Sequence, residues 1–267
     1  KKWQILCIQE MSQIANVEIE LICCQTISVF KQESPLKYHP LKLFKQLTNF
    51  FRLWNLFYYL LIRQRVSYFA PITNTDLFTK YPVKLFDIAK KGKFKYFFTE
   101  SSIEKIRACK YDVLINLDLG FITGEIINIP QHGVWSFHHG DENMYRGLPP
   151  GFWEFYHNNP VCGLVLQRIT DDLDAGFILE KGFVPTHLRS YRQTLEMLFS
   201  VGHQWPAKVC RRILYSNFST LTTKSDTKAK IYFSPNNFQM FIFFGQSFIR
   251  YLKHLFSEFF LAERWQI

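Results

Sequence analysis

Two apolar runs of strand length, each delivering a titratable side chain at its end, constrain this chain more than any other feature. The first, Val134 to His139, lies in the segment Gly133-Val-Trp-Ser-Phe-His-His-Gly-Asp141; the second, Val161 to Ile169, leads into Leu173-Asp174-Ala175-Gly176. Between them stand an Arg-Gly turn at Arg146-Gly147, a Pro-Pro-Gly elbow at Pro149 to Gly151, and an aromatic helix expected from Phe152 to His157. In α/β sheets catalytic groups gather at the carboxyl ends of strands, where His138 and Asp174 fall. His139 points to the opposite face by strand alternation and reads as structural.

The flanking sequence alternates in the same way. Residues 3–15 have helical spacing and 17–24 strand-like alternation, so a first strand is expected upstream. Residues 40–65 suggest a long aromatic helix, 66–92 loops with one short strand, and Phe94 to Phe98 a strand. Ser101 to Lys110 reads as a helix capped by Ser101 or Ser102, and Tyr111 to Leu117 as an apolar strand followed by Gly120 and a short helix up to Pro130. Apolar strands alternating with helices indicate an α/β domain with a mainly parallel sheet covered on both faces. Beyond Pro185, residues 189–215 look helical, 216–230 form a Ser/Thr/Lys-rich linker, and Phe248 to Leu261 an amphipathic helix. The division expected is a domain over 1–185 and a helical, basic extension over 186–267.

Charge is uneven. Residues 186–267 hold eleven Lys/Arg against four Asp/Glu, or +7 of the net +10, which suits an acidic partner such as nucleic acid, a nucleotide substrate or a membrane surface. Cys7, Cys23, Cys24, Cys109, Cys162 and Cys210 form no C-x-x-C pair and read as thiols in a reducing, cytoplasmic setting. The longest apolar runs are too short to span a bilayer, and no signal peptide is seen.

Residues 111–182 resemble the enzymes that use 10-formyltetrahydrofolate, a family including methionyl-tRNA, glycinamide ribonucleotide and sugar-nucleotide formyltransferases. The family pattern is a strand ending Asn-x-His, a loop closing with Arg-Gly and proline, and a Leu-Asp-x-Gly turn. Here stand Ser136-Phe137-His138, Arg146-Gly147-Leu148-Pro149-Pro150 and Leu173-Asp174-Ala175-Gly176. His-His-Gly-Asp with Tyr-Arg-Gly-Leu-Pro-Pro-Gly-Phe-Trp-Glu is similar to a divergent subgroup that can carry a second, propeller-like domain, absent from this chain. Ser136 replaces the family Asn, and Gly140-Asp-Glu-Asn143 replaces Ser-Leu-Leu-Pro. The absent first strand would leave a gap in the sheet.

The resemblance implies a Rossmann-like fold and formyl transfer to a primary amine on a small or nucleotide-linked substrate, with 10-formyltetrahydrofolate as donor and no metal. His138, Asp174 and Ser136 are then catalytic. The imidazole stabilises the oxyanion or shuttles the proton, the carboxylate holds the imidazole, and the hydroxyl is a further donor. Arg146 and Gly147 are assigned to the substrate, and Leu119, Gly120, Asp172 and Leu173 to the folate. RNA is allowed by the basic tail but not favoured. Two alternatives stand beside this: a binding module impaired by Ser136, and a metal hydrolase using His138, His139, Asp141 and His157.

Overall fold

The computed structural model describes residues 1–27, 52–71, 76–92, 94–215 and 223–263. The first half comprises α1 (Lys2–Ser12), β1 (Leu21–Ile27), α2 (Leu53–Phe57), α3 (Asp76–Lys80), β2 (Val83–Lys91), β3 (Lys95–Phe98), α4 (Glu100–Cys109), β4 (Leu114–Asn116) and β5 (Phe121–Ile122). The second comprises β6 (Val134–His138), β7 (Arg146–Gly147), α5 (Phe152–Tyr156), β8 (Val161–Arg168), β9 (Phe177–Pro185), α6 (Tyr191–Gly202), α7 (Trp205–Tyr215), β10 (Thr223–Lys224), β11 (Ile231–Tyr232) and α8 (Asn237–Glu263). The architecture is the expected α/β one.

Strands lie in the orders β1-β2-β3-β5, β10-β9-β8-β6-β4 and β11-β7. Pairing is parallel in β1–β2, β3–β5, β4–β6 and β7–β11, and antiparallel in β2–β3, β6–β8, β8–β9 and β9–β10. Among the described residues no strand pairs with the outer edge of β1 or of β4. The break between the sheets is bridged by side chains: Tyr111 Oη donates to Glu20, which also pairs with Lys84 Nζ at 2.8 Å.

Several boundaries differ from the sequence reading. Thr99, not Ser101 or Ser102, caps α4, accepting from the Ser102 N–H at 3.3 Å. The loops expected over 66–92 contain the nine-residue β2, and the turn region after Asp174 continues into β9. The 189–215 helix is two helices, broken after Gly202, where Pro206 opens the second. Of the aromatic helix expected over 40–65, residues 53–57 are α-helical and 58–62 form a π-turn; 40–51 lie outside the described residues, as do 216–222 of the expected linker.

The main core lies between β6–β8–β9 and the helices α1, α5, α6 and α7, around Trp135, Phe152, Leu164, Leu166, Leu195 and Leu198, all buried. Met240 and Phe243 of α8 belong to the same cluster. Residues after 186 therefore pack on the structure that carries His138. All six cysteines are free thiols.

Candidate active site

Strand alternation puts Val134, Ser136 and His138 on one face of β6 and Trp135, Phe137 and His139 on the other. The second set builds the core: His139 lies among Trp3, Phe137 and Phe199, its ring 4.3 Å from that of Phe199. Burial and the neighbouring His138 push its pKa down to about 3, so it stays neutral.

His138 is 5% exposed, with a hydrogen bond at one ring nitrogen and a carboxylate facing the other. Nε2 lies 2.6 Å from the carbonyl oxygen of Tyr145. A carbonyl only accepts, so Nε2 carries a hydrogen, and Nδ1 is the nitrogen left to exchange a proton. Nδ1 faces Asp174 Oδ2 at 3.4 Å, longer than a formed hydrogen bond. The Tyr145 carbonyl is aimed by a tight loop in which the N–H groups of Met144 and Tyr145 both donate to Asp141 O, at 2.9 and 2.7 Å. That loop needs glycine at 140: a Cβ there would sit 2.9 Å from both His138 Nε2 and Tyr145 O.

Asp174 adopts a left-handed backbone at φ 52°, and its side chain is 12% exposed. The Gly147 N–H donates to Asp174 Oδ2 at 2.8 Å. Arg146 grips the same turn, its Nε donating to Leu173 O at 3.0 Å and its Nη2 to the same oxygen. Gly147 itself has φ 93°, and a Cβ on it would overlap the carbonyl oxygen of Tyr232 in β11. The Arg-Gly turn, the Leu-Asp turn and the strand-end histidine thus form one connected unit. Of the two residues expected to meet the substrate, Gly147 donates its N–H to Asp174 and Arg146 holds the adjacent Leu173 carbonyl.

Ser136 is half-buried and lies in register between Asn116 of β4 and Gln167 of β8. The Asn116 amide braces the turn after β4, donating to Gly120 O at 3.1 Å and accepting from Leu119 N–H at 3.0 Å. The residues expected to meet folate lie on two loops, Leu119 and Gly120 between β4 and β5, and Asp172 and Leu173 between β8 and β9; Asp171, in the second loop, accepts from Thr123 Oγ1 and Gly124 N–H just after β5. Asn116 and Asp171 escaped the sequence reading in this role, because they act on backbone groups, which leaves little pattern.

Among the described residues no group of three or more His, Cys, Asp or Glu side chains is arranged to hold a metal ion. Of the four residues considered for one, His157 stacks on Tyr145 at 5.6 Å and Asp141 pairs with Lys181 Nζ at 2.8 Å, while the two adjacent histidines face apart. No helix among the described residues is long and apolar enough to cross a membrane.

Comparison with known proteins returns the likeness that the motifs carry. Over 98 residues the chain is 31% identical to the methionyl-tRNA formyltransferase of Thermosynechococcus vestitus, covering 36% of this chain and 30% of that protein. The chain thus spans under a third of that relative. No family model matches. Solved structures that share part of the fold include the formyltransferase PseJ from Anoxybacillus kamchatkensis (15% identity, 58% of this chain and 75% of that one, TM-score 0.43). Another is the phosphoribosylglycinamide formyltransferase of Anaplasma phagocytophilum (18%, 50% and 64%, TM-score 0.42). A third is the N-formyltransferase of Helicobacter canadensis, solved with folinic acid and dTDP-3-aminofucose (18%, 46% and 46%, TM-score 0.37). Overlaps this partial carry no argument about function. The chain is, in sequence, formyltransferase-like.

Proposed function

We propose that this chain is an N-formyltransferase that moves a formyl group from 10-formyltetrahydrofolate to a primary amine of a small or nucleotide-linked substrate. The amine nitrogen bonds to the formyl carbon, a tetrahedral oxyanion forms, and the bond from that carbon to folate N10 breaks. Overall the amine loses one proton and N10 gains one. In this reading His138 Nδ1 takes the amine proton and returns it to the leaving nitrogen, while Nε2–H stays on Tyr145 O. Asp174, 3.4 Å from Nδ1, stabilises the imidazolium through its negative charge. The Ser136 hydroxyl donates to the oxyanion. In this reading the folate lies on the loops at Leu119–Gly120 and Asp172–Leu173.

The observation that carries the reading is the single carboxylate Oδ2 of Asp174, bonded by Gly147 N–H and facing His138 Nδ1. It draws together three motifs lying 36 residues apart, a convergence that a turn-forming aspartate has no reason to make. One fact favours the second reading, an impaired binding module: the Asn116 amide beside Ser136 is engaged by Gly120 and Leu119 and does not stand in for the family Asn. Calorimetric titration with a stable folate analogue tests the site. Micromolar binding by wild type, His138→Ala and Asp174→Ala alike is expected; folded proteins that do not bind would exclude folate as donor.

A further inference from the structure

Glu154 is the least exposed carboxyl among the described residues, at 1%. It lies on α5; Oε1 accepts from Asp141 N–H at 3.3 Å, and the Cys162 thiol also contacts the carboxyl. Among the described residues no lysine or arginine forms a salt bridge with it: Lys181 is engaged by Asp141 and Glu142, and Arg146 by Leu173 O. Ionising a carboxyl this deeply buried requires a positive charge nearby. Burial accordingly raises its pKa to about 7, and the influence that opposes the rise most strongly among side chains is that of His138.

The geometry agrees. The space beside Gly140 is bounded by His138 Nε2, Tyr145 O and Glu154 Oε1, at 2.9, 2.9 and 3.2 Å from the position of an added Cβ. Glu154 thus lies on the Nε2 side of the imidazole, and Asp174 on the Nδ1 side. The other titratable groups facing Glu154 are the Cys162 thiol and the Tyr145 and Tyr191 hydroxyls. Burial pushes all three up, so they are neutral through the range in which a carboxyl and an imidazole exchange protons.

We propose that Glu154 is a positioning residue that sets the charge of His138 from the side opposite Asp174, so that the site is a carboxyl–imidazole–carboxyl unit. Its catalytic meaning rests on the formyl-transfer reading; its electrostatic content does not. With Glu154 ionised, the imidazolium formed when Nδ1 takes a proton is balanced on both sides. With Glu154 neutral, the imidazole gives the proton up more readily.

The test is the titration of the imidazole carbon-bound protons by NMR in the full chain, with His138→Gln identifying the His138 signals. Removing a negative charge at this range shifts a neighbouring pKa by about one unit. Glu154→Gln is therefore expected to move the His138 midpoint about one unit lower. Reciprocally, His138→Gln should keep the Glu154 carboxyl protonated to a higher pH, read by carboxyl carbon-13 shifts, and this arm stands if Glu154→Gln fails to fold. Unchanged midpoints in folded variants would overturn the proposal, whether or not the chain transfers formyl groups. Given turnover, the acid limb of the pH–rate profile should shift with the His138 midpoint; a uniform loss of rate with an unshifted profile would mean a merely structural role.

Discussion

Because the Tyr145 carbonyl fixes a proton on Nε2, the chemistry of His138 is confined to the nitrogen that faces Asp174. The surrounding titrations have opposite signs. Glu154 has its pKa raised from 4.5 to about 7 on folding, so the folded chain keeps a proton that the unfolded chain releases between those values. Its contribution to stability is complete below pH 4.5 and declines as pH rises through 7. Relative to Glu154→Gln, the wild type should lose about 3 kcal/mol of unfolding free energy over that window, measured by urea titration at each pH. A pH-independent difference would contradict the shift. His139 runs the other way: its pKa is lowered from 6.5 to about 3, so its contribution is present above pH 6.5 and fades as pH falls toward 3. At Gly147, alanine would combine a left-handed backbone with overlap onto Tyr232 O. The backbone alone costs about 1–2 kcal/mol. Gly147→Ala should unfold at lower temperature and lose the bond to Asp174, read as a larger fall in turnover than in stability.

At the level of elements, what was legible followed a clean hydrophobic pattern. β6 and β8 stood out because both faces of each are largely covered, which leaves apolar runs. β9 did not, because Glu180-Lys181-Gly182 interrupts its pattern. Those charges are tolerated in the sheet because Glu180 pairs with Lys208 and Arg212, and Lys181 with Asp141 and Glu142, across tertiary contacts that no local reading finds. α8 is longer than its amphipathic segment because aromatic residues on all sides hide its period. Among the expected site residues, His138 and Asp174 were legible from motif order; the grip of Arg146 on Leu173 was not, since its target is a backbone oxygen. Arg146→Lys keeps the charge but loses the two-pronged contact. It should lower kcat more than tenfold by loosening Asp174, with far-ultraviolet circular dichroism unchanged. Full activity in that variant would detach the Arg-Gly turn from the site.

Across the whole molecule, α8 is coupled to the helix that carries Glu154 by Phe243, which packs on Phe152 and Phe155, and by Arg250. The Arg250 guanidinium lies 4.5 Å over the Phe155 ring and donates to Phe155 O at 3.1 Å, to Leu188 O at 3.2 Å and to Asn158. Hydrogen bonds to a charged group contribute about 1.5–3 kcal/mol each, net of exchange with water. Arg250→Ala should therefore accelerate amide exchange in both α5 and α8 while leaving the strands protected; faster exchange in α8 alone would mean that the helix docks through Met240 and Phe243 only.

In the proposed reaction His138 and Asp174 act together on a formyl group. The most direct measurement is the release of tetrahydrofolate from 10-formyltetrahydrofolate in the presence of a panel of amino sugars and nucleotide-linked amines, for wild type, His138→Ala and Asp174→Ala. The expected result is amine-dependent turnover in the wild type that falls by about 10²–10³ or more in both variants, with folate binding intact. Turnover that survives His138→Ala would contradict the account.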